Sequence, residues 1–358
     1  MKVGILTFPH SPSLGAMLQM NALYHAIQEL GHDVEIINYV SETVNHKQKS
    51  KVTAKSIVIS ILSALFLKNS KPSFQEFENS LRMFPDEASS DSEMLEAVAA
   101  RYDRIIVGSD QVWNQIVTGN DLNFYLAFCP DRTKKASYAA SFGNTEVEKD
   151  QETQIAELLN QFTYLSVREK QGQKIVKDLT GREASVVLDP TLLVSRDYLL
   201  SQMTPCRRKR KYVLFFCIKP SPTLKERAEA YAKEYGFELV TIGGRMKDRF
   251  NPFKHPQYGV GPREFLGLVR EAQCVFTNSF HGLAVSIALQ TNFYVEYSTD
   301  TNSRLINLVE LLDLHDRVAG NQKLRSVDVD YRAVEQKLEV QRQYSLAFLK
   351  EILTQKQN

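Results

Sequence analysis

"KVGILTFPHSPSLGAMLQMNALYHAIQELGHDVEIINY", Lys2 to Tyr39, decides the fold class. Its first residues, "KVGILTF", are apolar and β-prone and read as a strand. From Leu14 to Leu30 the period changes. Met20, Leu23, Ile27 and Leu30 fall on one helical face, and Gly31 sits where a helix stop belongs. "DVEIINY" is again a strand. A strand, a helix and a strand in so short a stretch make a βαβ unit, and hence a parallel sheet.

The same alternation continues outward. Val44 to Ser92 is less regular, rich in Lys and Ser, and reads as helical excursions. Then "RIIVGSD", "KASYAAS" and "TYLSV" read as strands with their loops, the last leading into a helix from Glu169 to Leu179. "SVVLDP" closes the series. Ser201 to Lys211, "SQMTPCRRKRK", joins a proline to a basic run without apolar periodicity and reads as a solvated linker. After it the pattern restarts. "YVLFFCI" and "FELVTIG" flank a helix from Thr223 to Tyr235, a helix opens at Pro262, and "CVFTNSFHGLAVSIALQ" is a buried strand running into a packed helix. "NFYVE" and helices from Ser303 and Tyr331 complete the chain. The expected fold class is α/β, with two doubly wound Rossmann-like domains facing across a cleft. The expected domains are 1–200, 212–330 and a C-terminal helix, 331–358, packing back. Ligands of such sheets bind outside the carboxyl ends of the strands, so strand-to-helix loops are where function is sought.

Composition narrows the class. A chain of 358 residues suits two domains. Forty-four Lys and Arg against 42 Asp and Glu leave a net charge of +2, too mild to argue for nucleic acid. Cys129, Cys206, Cys217 and Cys274 have no metal or disulfide spacing and read as reduced, mostly buried thiols of a cytoplasmic protein. "MKVGILTF" runs straight into a strand, so no signal peptide is expected. The apolar run at 56–68, "SIVISILSALFLK", falls short of the roughly 20 residues that span a bilayer. It reads as an amphipathic helix packed on the core. The alternative is peripheral contact with the inner membrane face or with a lipid-linked substrate.

Four loops hold the candidate site residues. In "VGSDQVWN", Asp110 follows an apolar strand directly, so its carboxylate could orient or deprotonate a sugar hydroxyl. Gln111 and Asn114 accompany it, and Trp113 offers a sugar an apolar plate or else belongs to the core. In "LSVREKQG", Arg168 lies at a helix N-terminus, which disfavours a cation by about 0.3–1 kcal/mol. It therefore wants an anion, either Glu169 or a ligand. In "TNSFHG", Asn278 and Ser279 are natural caps, and Ser279, Gly282 and the first-turn N–H groups form a candidate phosphate site. His281 in the same turn is either an acid/base beside that phosphate or a packed core histidine. His10, after the first strand, is a further cleft candidate. No HxxH, HExxH or CxxC cluster points to a metal, and there is no GxGxxG, Walker loop or GxSxG elbow.

Together these pieces resemble the polysaccharide pyruvyltransferase family. The resemblance rests on "LGAMLQMNAL", "GSDQVWN", "KKASYAASFG", "LSVREKQG", "VLDPTLL" and "TNSFHGLAVSIAL" in the expected order, and it runs to about Arg317. It implies a two-domain, glycosyltransferase-B-like protein that moves the enolpyruvyl unit of phosphoenolpyruvate onto two hydroxyls of a sugar. The expected acceptor is nucleotide- or lipid-linked, in exopolysaccharide, capsule or cell-wall synthesis. His281 then matches the family's histidine, Arg168 and the Ser279 helix end hold the donor, Asp110 serves the acceptor, and neither nucleotide nor metal is needed. One departure stands out. Many members carry an arginine just before, or a step from, this histidine, whereas Phe280 precedes His281 here. Arg245, Arg249 or Arg304 could substitute, or the donor could differ. Two other readings remain: a nucleotide-sugar glycosyltransferase of the same shape, and a non-catalytic scaffold in glycan assembly.

Overall fold

In the computed structural model, residues 1–41, 72–242, 254–257, 259–297, 303–320, 324 and 328–354 are described. They fall into two compact units. One takes in the described residues of Met1–Ile57, Glu78–Val194 and Glu339–Asn358; the other, those of Val58–Phe77 and Ser195–Leu338.

The first unit is built on β1 (Lys2–Leu6), β2 (Asp33–Tyr39), β3 (Met83–Ser89), β4 (Arg104–Val107) and β5 (Lys135–Ser137). They form one parallel sheet in the order β3-β2-β1-β4-β5. Strand β1 lies at its centre, with Val3 opposite Val34 on one side and Arg104 on the other. Val3, Ile5 and Leu6 are fully buried, as expected of a strand covered on both faces. The helix Leu14–Glu29 supplies the first crossover. The Ser13 side chain starts it by accepting from the Ala16 N–H at 3.4 Å. A two-stranded parallel pair, β6 (Ser166–Val167) and β7 (Ser185–Val186), extends the α/β alternation beyond β5.

The second unit repeats the plan with β8 (Tyr212–Phe216), β9 (Glu238–Ile242), β10 (Lys254–Gln257), β11 (Cys274–Thr277) and β12 (Phe293–Val295) in the order β10-β9-β8-β11-β12. Leu214 of β8 stands between Val240 and Val275. The long last helix, Tyr331–Ile352, starts in the second unit. Its later turns belong to the first, where the Leu188 N–H donates to Ser345 Oγ at 3.0 Å.

Two strands escape sequence patterning. Within the stretch read as helical excursions, 72–78 are helical and Met83–Ser89 is an edge strand; 42–71, and with them the apolar run 56–68, lie outside the described residues. "MFPDEAS" breaks the strand pattern with a proline and two acids. An edge position tolerates both, because one side of such a strand faces solvent and needs no ladder donors. "KHPQ" of β10 likewise carries too little apolar signal. All four cysteines are free, as the spacing implies.

Candidate active site

In both sheets the chain reverses its direction of winding between the two central strands: β1 and β4 in one, β8 and β11 in the other. Loops leaving the carboxyl ends of such a pair diverge and leave a crevice. Each unit places its candidate residues on those loops.

In the first unit, Thr7 to Ser13 follow β1 and Gly108 to Asn114 follow β4. Thr7 to Ser13, with Asp110 and Gln111 of the second loop, line a pocket of about 470 Å³ together with Tyr39, Ile116 and Phe124, a size suited to a sugar-sized ligand. The β4 loop has little freedom. At Gly108, φ is 115°, and a Cβ there would stand 2.3 Å from the Tyr138 carbonyl oxygen. Asp110 follows in the left-handed region, with φ 74°, and its carbonyl accepts from the Ser141 N–H at 2.9 Å. Such backbone is uncommon for a non-glycine residue and gathers at functional sites. Its effect is to set the Asp110 carboxylate on the pocket wall.

His10 faces the same pocket. The Asn38 amide donates through Nδ2 to the Pro85 and Asp86 carbonyls, which turns its Oδ1 toward His10 Nε2 at 2.6 Å. Glu78 Oε2 lies 3.4 Å from the other ring nitrogen. Both nitrogens therefore meet acceptors, and the imidazolium is favoured. The Glu78 carboxylate raises the His10 pKa, against a smaller effect of burial and with help from Asn38.

Two sequence expectations for this loop are corrected. Trp113 is 1% exposed, stacked on Tyr125 at 5.6 Å with its indole N–H on the Phe124 carbonyl; it is core and offers no plate to a sugar. Asn114 is buried and caps a short helix, Gln115–Thr118, by accepting from the Ile116 and Val117 N–H groups. Gln111 lines the pocket, with its Oε1 taken by the Asn114 amide. The aromatic rings at the pocket are Phe8, Tyr39 and Phe124, with Phe8 half-buried and 5.2 Å from Phe124.

Arg168 does meet anions, and the partners the structure shows are Asp189 and Asp110. Its Nη1 donates to Asp189 Oδ2 at 2.7 Å and its Nη2 to Asp110 Oδ1 at 3.3 Å, with its side chain buried. Burial alone would lower its pKa; Asp189, Asp110 and Glu169 together raise it. Glu169 instead accepts from the Ser141 hydroxyl at 2.8 Å. Asp189 is the residue sequence reasoning missed. The signal was present in "VVLDP", an acid directly after an apolar strand and before a proline, the same position that singled out Asp110.

In the second unit, Ser279 caps the helix Phe280–Ala288 by accepting from the Gly282 N–H at 3.3 Å. Thr277 Oγ1 accepts from the Ser279 N–H at 3.0 Å, which fixes the turn from β11 into the helix. Gly282 has a steric reason: a Cβ there would come within 2.3 Å of Thr277 Oγ1. Asn278 is spent on the neighbouring loop. It accepts from the Ile218 N–H at 3.0 Å and donates to the Lys219 carbonyl at 2.8 Å, clasping the loop after β8 to the one after β11. His281 sits in the first turn, 8% exposed, its ring edge-on to Phe280 at 5.2 Å. The Arg304 guanidinium lies over the Phe280 ring, 5.9 Å from its centre. Arg245 and Arg249 lie outside the described residues.

Among solved structures, S. aureus MnaA with UDP superposes with a TM-score of 0.51 at 13% identity, covering 98% of this chain and 91% of that one. UDP-GlcNAc 2-epimerase from Neisseria meningitidis gives 0.49 at 9% identity, over 99% and 95%. E. coli ADP-heptose lps heptosyltransferase II gives 0.39 at 13%, over 96% and 99%. Identities this low carry the fold alone: a parallel-sheet α/β architecture of the glycosyltransferase-B type. No curated protein sequence matches the chain. The sequence pattern of the polysaccharide pyruvyl transferases, however, matches residues 14–298, which take in the loops of Asp110, Arg168 and His281. The chain belongs to the polysaccharide pyruvyl transferase family.

Proposed function

We propose that the protein transfers the enolpyruvyl unit of phosphoenolpyruvate to two hydroxyls of one sugar in a nucleotide- or lipid-linked glycan precursor, forming a pyruvate ketal and releasing phosphate. The observation that carries this reading is His281 in the first turn of a helix whose capped amino end, Ser279 to Gly282, lies in "TNSFHG", within the residues that the family pattern matches. That end bears partial positive charge and favours an anion by about 0.3–1 kcal/mol, up to about 2 where partly buried. A phosphate dianion held there has the His281 imidazole beside it, in the first turn of the same helix.

The chemistry then follows in steps. A proton passes from His281 to C3 of the donor, which leaves C2 electron-poor. One sugar hydroxyl adds to C2 and gives up its proton. The second hydroxyl displaces phosphate, which departs with the remaining proton. In this reading Asp110 orients or deprotonates the acceptor hydroxyl at the first unit's pocket, with His10 and Gln111 beside it. Arg304, close to Phe280, replaces Arg168 as the cation assigned to the donor carboxylate. In this reading the enzyme acts in the cytoplasm during cell-surface polysaccharide synthesis. Among the described residues, no helix is long and apolar enough to cross a membrane.

Thermal shift tests donor identity directly, since a ligand that binds the folded state raises apparent stability. Phosphoenolpyruvate raises the melting temperature and the effect is lost in Arg304→Ala. A response to nucleotide sugars with none to phosphoenolpyruvate makes the protein a glycosyltransferase instead.

A further inference from the structure

One guanidinium in the first unit is gripped by two carboxylates at once. Arg168, at the end of β6, is 1% exposed and donates to Asp189 on one side and Asp110 on the other. Asp189 is itself anchored. Its Oδ1 accepts from the Thr191 N–H at 3.0 Å and the Thr191 hydroxyl at 2.7 Å, and its Oδ2 accepts from Arg168 and, at 3.4 Å, from the Ser109 hydroxyl, which is shared with the nearer Ala139 carbonyl at 3.1 Å. Ser109 directly precedes Asp110, so the network closes into a ring. Thr191 holds Asp189, Asp189 holds Arg168, Arg168 holds Asp110, and Ser109 ties the strained loop back to Asp189. With Glu169 adjacent, this one cation serves three acids.

The geometry points to Arg168 and Asp189 as a buried clamp that fixes the Asp110 carboxylate, ionised and in one orientation, on the wall of the first unit's pocket. Both are positioning residues, and neither touches a substrate. The inference rests on the reading of Asp110 as the group that meets the acceptor hydroxyl. An arginine suits the task because its planar fork can hold two carboxylates in fixed directions, which a lysine ammonium cannot. The left-handed backbone at Asp110 needs such support, because strained conformations persist only where surrounding contacts over-determine them. The charged and titratable groups around Asp110 are Arg168 and Glu169 after β6, Asp189 before the helix Pro190–Leu193, and His10, backed by Glu78, on the pocket wall.

The test titrates protein labelled with ¹³C at its aspartate carboxyls, followed by NMR, with Asp110→Asn identifying the signal. Arg168→Met removes the charge, and Arg168→Lys keeps the charge and loses the fork. The Asp110 midpoint rises by about one pH unit or more in Arg168→Met and by less in Arg168→Lys. In turnover assays, kcat falls about tenfold or more in both variants while the donor KM stays within about twofold. If Arg168→Met does not fold, Arg168→Lys carries the same readouts. An unmoved Asp110 midpoint in a folded variant overturns the clamp. So does a donor KM raised about tenfold in Arg168→Lys with the titration unchanged, which makes Arg168 a donor ligand. The NMR readout needs no turnover, so failure of the proposed reaction and failure of the clamp are told apart.

Discussion

Gly282→Ala probes how tightly the His281 turn is held. In the folded protein a Cβ at position 282 stands 2.3 Å from Thr277 Oγ1, 3.0 Å from its Cβ and 3.1 Å from its Cγ2. Relief to ordinary contact needs a displacement of about 1 Å, and Thr277 cannot give way cheaply, because its hydroxyl accepts from the Ser279 N–H. Overpacking of this kind costs about 1–3 kcal/mol, against about 1 kcal/mol returned by the better helix propensity of alanine. The net loss of stability is therefore about 0–2 kcal/mol, read by urea denaturation. Activity suffers far more. A shift of about 1 Å in the first helical turn carries His281 with it, and a misplacement of that size costs about 10²-fold in kcat. Thr277→Ala in the Gly282→Ala background removes Oγ1 and Cγ2, the atoms at 2.3 and 3.1 Å, and restores part of the rate. A Gly282→Ala enzyme of wild-type kcat refutes the reasoning. It would mean that the turn yields without moving the histidine.

Trp113→Ala costs about 3–5 kcal/mol of stability; a raised acceptor KM with unchanged stability would return Trp113 to the sugar site. Glu35 accepts from Arg101 Nε and Nη2 and from the Tyr102 hydroxyl, and the Arg101 guanidinium holds its carboxyl down at about 2, against the usual 4.5. A group depressed in the folded state contributes stability above its unfolded pKa and loses it as pH falls through the folded one. Acid melts should thus show up to about 3 kcal/mol lost between roughly pH 4.5 and 2, and Glu35→Gln should flatten that limb. For His10 the sign is opposite, because its folded pKa is raised: its contribution is fully present below pH 6.5 and is lost as pH rises through the folded value. A Glu78→Gln variant with the same stability-versus-pH curve as wild type removes that coupling.

The parallel sheets were legible because Val3, Ile5 and Leu6, or Val275 and Phe276, lie in short apolar runs between helices of clear period. Edge strands were not, since "MFPDEAS" and "KHPQ" are stabilised by neighbouring backbone and carry no apolar pattern of their own. Loop position was equally readable: Asp110, His10, Ser279 and His281 all stand at the carboxyl ends of central strands. What the sequence could not distinguish was a side chain facing a pocket from one turned inward. Trp113 and Asn114 follow Asp110 closely but point into core and cap, because the left-handed turn at Asp110 redirects the residues after it. Arg168 met its partner 21 residues on in Asp189, a pairing fixed by tertiary packing and visible in no local pattern.

The central claim is ketal formation from phosphoenolpyruvate. The most direct measurement incubates the protein with phosphoenolpyruvate and a panel of nucleotide- and lipid-linked glycans, following glycan mass and free phosphate together. A glycan should gain one pyruvate ketal for each phosphate released, with the rate reduced about 10²–10⁴-fold in His281→Ala. Ketal formation at the full rate in His281→Ala, or phosphate release with no ketal on any glycan of the panel, would contradict the claim.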